Sequence, residues 1–138
     1  MTSDEKLPRS RRITHRQDFL RIQSTGRRCR SAHFLLATLP RVNAAAPQDA
    51  RHVSDTLLPE HDDARIGITI TTKVDKRAAR RNRLRRRIRE IFRRERARLL
   101  SGRDLVIIAL TGATELEFVS VEDEVRTLLR RARLYRRN

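Results

Sequence analysis

Arg80-Arg81-Asn82-Arg83-Leu84-Arg85-Arg86-Arg87-Ile88-Arg89-Glu90-Ile91-Phe92-Arg93-Arg94-Glu95-Arg96-Ala97-Arg98 is the stretch on which the reading of this chain turns. Leu84, Ile88, Ile91, Phe92 and Leu99 fall on one stripe of a 3.6-residue period, which predicts a helix from about Lys76 to Leu100. The rest of its surface is arginine. Arg81, Arg85 and Arg89 form an i,i+4 row, as do Arg83 and Arg87, and each like-charge pair costs roughly 0.2–0.5 kcal/mol. Glu90 and Glu95 offset part of that. Phosphates would relieve the rest, and the planar guanidinium fork suits them. The bland alternative is a solvated basic face, but the excess is too one-sided for a solubility feature. Asn82 stands alone among the arginines as an amide for a ribose, a base edge or a neighbouring side chain.

Outward from this helix the pattern changes period. Before it, Arg65 to Thr72 alternates, with Ile66, Ile68 and Ile70 on one face and Gly67, Thr69 and Thr71 on the other, which predicts a half-buried strand. After it, Gly102 stands where a helix-terminating glycine belongs, and Leu105 to Leu110 reads as a central buried strand. Ser120 and Asp123 have capping-box-like spacing for a last helix, whose core face is Val121, Val125, Leu128, Leu129 and Ala132. Towards the N-terminus, His33 to Leu39 reads as a strand ended by Pro40. A short helix precedes it, opened by Thr14 and Gln17, carrying Phe19, Leu20 and Ile22, and stopped by Gly26. Residues 1–12 are expected to be mobile. Residues 41–64, aperiodic and proline-containing, are expected to form a long flexible loop. The order is helix, strand or strands, helix, strand, helix. It predicts a single α+β or α/β sandwich in which helices cover a small sheet.

Composition narrows the function. The 138 residues hold 33 Lys+Arg against 17 Asp+Glu, a net charge of +16 that points to a polyanionic partner. The charge is blocked: +8 over residues 6–30 and +12 over 65–104, against −3 over 41–64 and +1 over 105–138. Two basic blocks make a surface if folding unites them. No apolar run approaches the roughly 18–20 residues of a membrane span, and no apolar signal-peptide core opens the chain, so a cytoplasmic protein is expected. A basic amphipathic helix is also a membrane-surface device, but this stripe is needed for the core and Trp is absent. One cysteine, Cys29, excludes a disulfide framework and a cysteine-based zinc site. His15, His33, His52 and His61 lack metal-ligand spacing, and His61-Asp62-Asp63 reads as a solvated cluster. No phosphate loop, Ser/His/Asp grouping or pair of carboxylates in a plausible pocket is visible, so no catalytic or metal-binding residue is expected from the polypeptide.

The spacing Arg81-Asn82-Arg83, then Leu84-Arg85-Arg86-Arg87-Ile88-Arg89-Glu90, resembles the signature of the bacterial ribonuclease P protein component: Arg-Asn-Arg, an aliphatic, Lys/Arg, Arg, any residue, an aliphatic, Arg, then Glu or Gln. Asp18-Phe19 with Gly26-Arg27-Arg28 resembles the family's first helix and its exit. Phe34 to Leu39, Arg65-Ile66-Gly67-Ile68-Thr69 and Gly102-Arg103-Asp104-Leu105-Val106-Ile107-Ile108-Ala109 resemble its strands, in the same order. The resemblance spans roughly residues 9–135, apart from 41–64.

It implies an α-β-β-β-α-β-α, ribosomal-protein-like α+β fold: a four-stranded sheet packed by helices, with a left-handed βαβ crossover. It also implies the protein subunit of a ribonucleoprotein endonuclease. In that family the ribonuclease P RNA, with Mg²⁺, cleaves the 5′ leader from precursor tRNA, and the protein binds this RNA and the single-stranded leader. By resemblance, Arg81, Asn82, Arg83, Arg85, Arg86 and Arg89 contact RNA, and Phe19, Thr69 and Lys73 serve a leader cleft. The chain departs from the family at Gln23, often a second Phe, at Ala37, often Tyr, and at Thr72-Lys73, commonly two lysines. Lost stacking surface shifts leader binding towards charge. The rival reading is a ribosomal or ribosome-assembly RNA-binding protein, separated by the Arg-Asn-Arg spacing and not by charge. A DNA regulator is disfavoured because no helix-turn-helix spacing accompanies the arginine helix.

Overall fold

A computed structural model describes residues 12, 13, 16–40 and 64–136. Its elements are α1 (Arg16–Thr25), β1 (Arg27–Arg30), β2 (Phe34–Pro40), β3 (Arg65–Thr69), α2 (Ala78–Glu95), β4 (Arg103–Ala109) and α3 (Phe118–Arg131). Short 3₁₀ turns at Arg96–Arg98 and Ala113–Glu115 follow α2 and β4. The sheet order is β1-β2-β4-β3, antiparallel except for the parallel pair β3 and β4.

The sheet separates two cores. On one face Phe34, Leu36, Ile66, Leu105 and Ile107 pack with the α2 stripe and with Val121, Val125, Leu128 and Leu129 of α3. On the other, Ala37 and Val106 meet Ile13 and Ile22, with Phe19 partly buried against them. Leu84, Ile88, Ile91 and Phe92 are each at most 2% exposed, and full burial of such side chains stabilises by roughly 1.5–3 kcal/mol apiece. That exceeds the like-charge repulsion along α2, so packing makes the helix in spite of its arginines.

The chain joins β3 to β4 through α2, and Ile66 fixes the hand of the crossover. Its carbonyl accepts from the Ile13 N–H at 2.8 Å, on the outer edge of the sheet, while its side chain enters the core under α2. For an L-residue these two directions place β4 to the left of β3, seen from the α2 side with β3 running upward. The crossover is therefore left-handed, against about 98% of such units that are right-handed.

Several sequence expectations are corrected. β1 was hidden because Arg27-Arg28-Cys29-Arg30 has no apolar alternation; it pairs with β2 as an outer strand. β3 ends at Thr69, and on its small side Gly67 is buried under Phe19 while Thr69 is half-buried. α2 spans Ala78–Glu95, shorter than expected, and Gly102 (φ +69°) serves the turn into β4 instead of closing the helix. α3 begins at Phe118 behind Glu117 with no side-chain cap, so Ser120 lies inside its first turn. Leu20 is 53% exposed rather than part of an apolar patch. Thr14 and His15, most of the expected mobile N-terminus and the expected loop apart from Ala64 lie outside the described residues; Arg12 bridges to Ile66 along the free edge of β3.

Candidate nucleic-acid interface

The start of α2 is held by Asp75, a buried residue just ahead of the helix. Its Oδ1 accepts from the Arg77 backbone N–H at 2.9 Å and from Arg77 Nε at 3.1 Å, and its Oδ2 accepts from the Thr114 hydroxyl at 2.8 Å. Arg80 Nε lies 3.4 Å from Oδ2. The Arg77 N–H, then the Thr114 hydroxyl, hold this carboxyl well below the usual range, so it stays ionised. This is the turn chemistry for which Asp is suited, placed where helical N–H groups lack partners.

The arginines of α2 divide into two sets. Some are engaged within the fold. Arg81 Nη1 donates to the carbonyls of Asp75 and Lys76, both at 2.9 Å, and Arg87 Nη1 donates to Leu116 O at 2.9 Å. Glu90 accepts from Arg93 and Arg94, and the Arg93 bond leads in holding its carboxyl down. Others face solvent. Arg83 and Arg86 are exposed and have no side-chain partner among the described residues. Arg85 Nη1 donates to Asn82 Oδ1 at 2.9 Å, so the amide in the signature aims a neighbouring guanidinium.

Arg89 belongs to neither set. It leans over β3 and lines a cleft of about 160 Å³ with Arg12, Ile13, Phe19, Gly67 and Ile68. Burial, then the Arg12 and Arg85 cations, lower its pKa. Positive charge is crowded there, with no acid among the described lining residues, and an incoming anion would relieve it. Phe19 reaches the cleft because Gly67 has no side chain: a Cβ there would stand 2.6 Å from its Cε1 and Cζ. α1 itself is tied down by fully buried Asp104, which accepts from Arg65 Nη2 at 2.8 Å and from Arg21 Nη2 at 3.4 Å. That hydrogen bond raises the pKa of Arg65.

The fold thus brings Phe19 and Arg89 into one cleft, with Asn82, Arg83, Arg85 and Arg86 along the same helix. Thr69 is half-buried on the Gly67 side of β3, and Lys73 is exposed in the turn before α2; neither lines the cleft. Arg12 and Gly67 were missed as cleft residues. Arg12 lay in a stretch without pattern, but a glycine inside a strand signals close approach, and Gly67 carried that signal. Gln23 is half-buried, and Ala37 is fully buried in the small core with Ile22 and Val106, against which Phe19 packs.

Comparison with known proteins agrees with this fold. The ribonuclease P family model matches residues 7–133. The ribonuclease P protein component of a Cyanothece strain is 37% identical over 128 residues, covering 93% of this chain and 96% of the relative. That of Gluconacetobacter diazotrophicus is 36% identical, covering 90% of this chain and 92% of the relative. Among solved structures, the Thermotoga maritima RNase P protein superposes with a TM-score of 0.67 at 28% identity, covering 87% of this chain and 96% of that one. The Staphylococcus aureus RNase P protein gives 0.71 at 24% identity, covering 91% and 98%, a likeness of fold. From the signature on α2 to the left-handed crossover and these relatives, the chain belongs to the ribonuclease P protein family.

Proposed function

We propose that this chain is the protein subunit of a ribonuclease P ribonucleoprotein that removes the 5′ leader from precursor tRNA. The outer face of α2 binds the ribonuclease P RNA, and the cleft between α1, the β3 edge and Arg89 receives the single-stranded leader. One observation carries this reading: Arg12 and Arg89 line one cleft with the Phe19 ring, and none of its described lining residues is acidic. That combination suits a strand whose phosphates need cations and whose bases need a platform, whatever their identity. The chemistry belongs to the RNA with Mg²⁺. No three His, Cys, Asp or Glu side chains among the described residues are grouped to hold a metal ion. The acids nearest the interface are engaged, Asp75 by Arg77 and Thr114, Glu90 by Arg93 and Arg94. No helix among the described residues is long and apolar enough to cross a membrane.

Reconstitution tests the proposal. Added at low Mg²⁺ and physiological salt to bacterial ribonuclease P RNA, the protein is expected to restore 5′ maturation that the RNA alone performs poorly. Failure to stimulate cleavage, with binding to that RNA no tighter than to ribosomal RNA, would transfer the chain to ribosome assembly.

A further inference from the structure

At the other end of the sheet from the Asn82 signature, three strand and helix ends bring arginines together. Arg27 opens β1, Arg103 opens β4, and Arg133 follows α3. With Gly26, Pro40 and Leu134 they line a surface cleft of about 510 Å³, and none of its described lining residues is acidic. None of the three guanidiniums has a partner among the described residues.

Arg133 adds an independent observation. α3 ends in a Schellman motif: the Leu134 N–H donates to Leu129 O at 3.1 Å and the Arg133 N–H to Arg130 O at 3.0 Å. The residue between cap and exit adopts a left-handed backbone there, and glycine is the usual choice. This chain has Arg133 instead, at φ +57°, the one described non-glycine residue with positive φ. An arginine held in a conformation that disfavours side chains, beside two others with no acid among the described lining residues, is a local sacrifice of stability. The bland account is complementation of helix C-terminal dipoles. It explains Arg130 and Arg131 in the last turn of α3, but not two arginines that open strands or the choice of a left-handed site.

We propose that Arg27, Arg103 and Arg133 form a second phosphate-binding site, which takes the sugar-phosphate backbone of the partner RNA at the pole opposite the signature. β4 spans the two poles with seven residues, about 20 Å, so one phosphate cannot serve both. The RNA therefore contacts both ends of the protein. The choice of RNA as the polyanion rests on the function proposed above; the site itself rests on its three arginines.

The test pairs melting of the free protein with binding to ribonuclease P RNA across a KCl series. Arg133→Gly is expected to raise the melting temperature yet weaken binding, flattening the log–log salt slope by about 0.7–0.9 for one lost phosphate contact. Arg27→Ala with Arg103→Ala should flatten it further. Arg86→Ala, on α2, reports the other surface separately. Wild-type slopes for all pole variants, with a flattened slope for Arg86→Ala, would overturn the second site and leave the proposed function standing. A wild-type slope for Arg86→Ala with flattened pole variants would instead count against α2. A melting temperature that does not rise for Arg133→Gly removes the strain argument and overturns the proposal as well.

Discussion

Gly67 gives up its side-chain volume to a ring that the cleft needs. Alanine there would set a Cβ 2.6 Å from Phe19 and 3.2 Å from Ile13, forcing the ring outward. Gly67→Ala is therefore expected to reduce affinity for leader-bearing precursor tRNA by about 1–3 kcal/mol, the worth of one stacked base. Affinity for mature tRNA should not change. Fluorescence titration with both substrates checks this, and an equal loss for both would place the defect outside the cleft. Phe19→Ala should produce the same loss, and the double variant no more than either, because both remove one contact. The same residue-level economy appears at Asn82, whose amide orients Arg85, and at Arg81, whose guanidinium is occupied by two loop carbonyls.

At the scale of the element, α2 is both a core helix and a charged surface, and its arginines can be told apart by what they lose. Arg81→Ala removes the bonds to Asp75 O and Lys76 O and should lower stability by about 1 kcal/mol. Arg83→Ala removes no described partner; it should leave the urea midpoint unchanged and flatten the salt dependence of RNA binding by about 0.7–0.9. The reverse pattern would exchange their roles. Asp75 sets the pH response of the helix start. Its folded pKa lies below its ordinary value of 3.8, through the Arg77 N–H and the Thr114 hydroxyl. Its contribution is thus fully present above pH 3.8 and is lost as acid protonates it at lower pH. Asp75→Asn should lower the melting temperature at neutral pH and shrink the difference between neutral and acid melting. An acid limb as steep as in the wild type would show that another carboxyl governs it.

Over the whole molecule, the end of the chain closes on the end of the arginine helix. Leu99 bridges to Tyr135, the Arg136 N–H donates to Arg98 O at 2.7 Å, and Leu100 donates to Leu134 O at 2.7 Å. The Tyr135 hydroxyl donates to Glu95 Oε1 at 2.8 Å, while Arg126 Nη2 lies 3.1 Å from Oε2. Burial, then this bond to Glu95, raise the phenol pKa, so the hydroxyl remains a donor throughout the neutral range. Tyr135→Phe leaves a buried carboxylate with one fewer donor and should cost about 1–2 kcal/mol, read as a lower urea midpoint at constant slope. No change in midpoint would mean that Arg126 alone satisfies Glu95. Elsewhere on α3, Glu124 accepts from the Ser31 hydroxyl at 2.6 Å and from the His33 N–H at 3.0 Å, fastening the helix to the β1–β2 turn. The cations left over by these internal ties are the ones available to the proposed RNA surface.

Periodicity in the chain was enough for α2, α3 and β3, and short apolar runs for β2 and β4, because burial of a stripe, an alternate face or a whole strand leaves a local imprint. Val121, Val125, Leu128 and Leu129 were legible as core, and Leu84, Ile88, Ile91 and Phe92 likewise. The Arg-Asn-Arg spacing pointed to the family. β1 left no such imprint, since an outer strand of arginines is held by the bonds of its neighbour and not by its own pattern. The division of the arginines into tied and free sets was not local either. Arg87 finds Leu116, Asp75 finds Thr114, and Arg89 meets Arg12 only after β3 and α1 are packed. Charge can be counted along a chain, but its pairing depends on distances between segments that the left-handed crossover and the sheet order alone bring together.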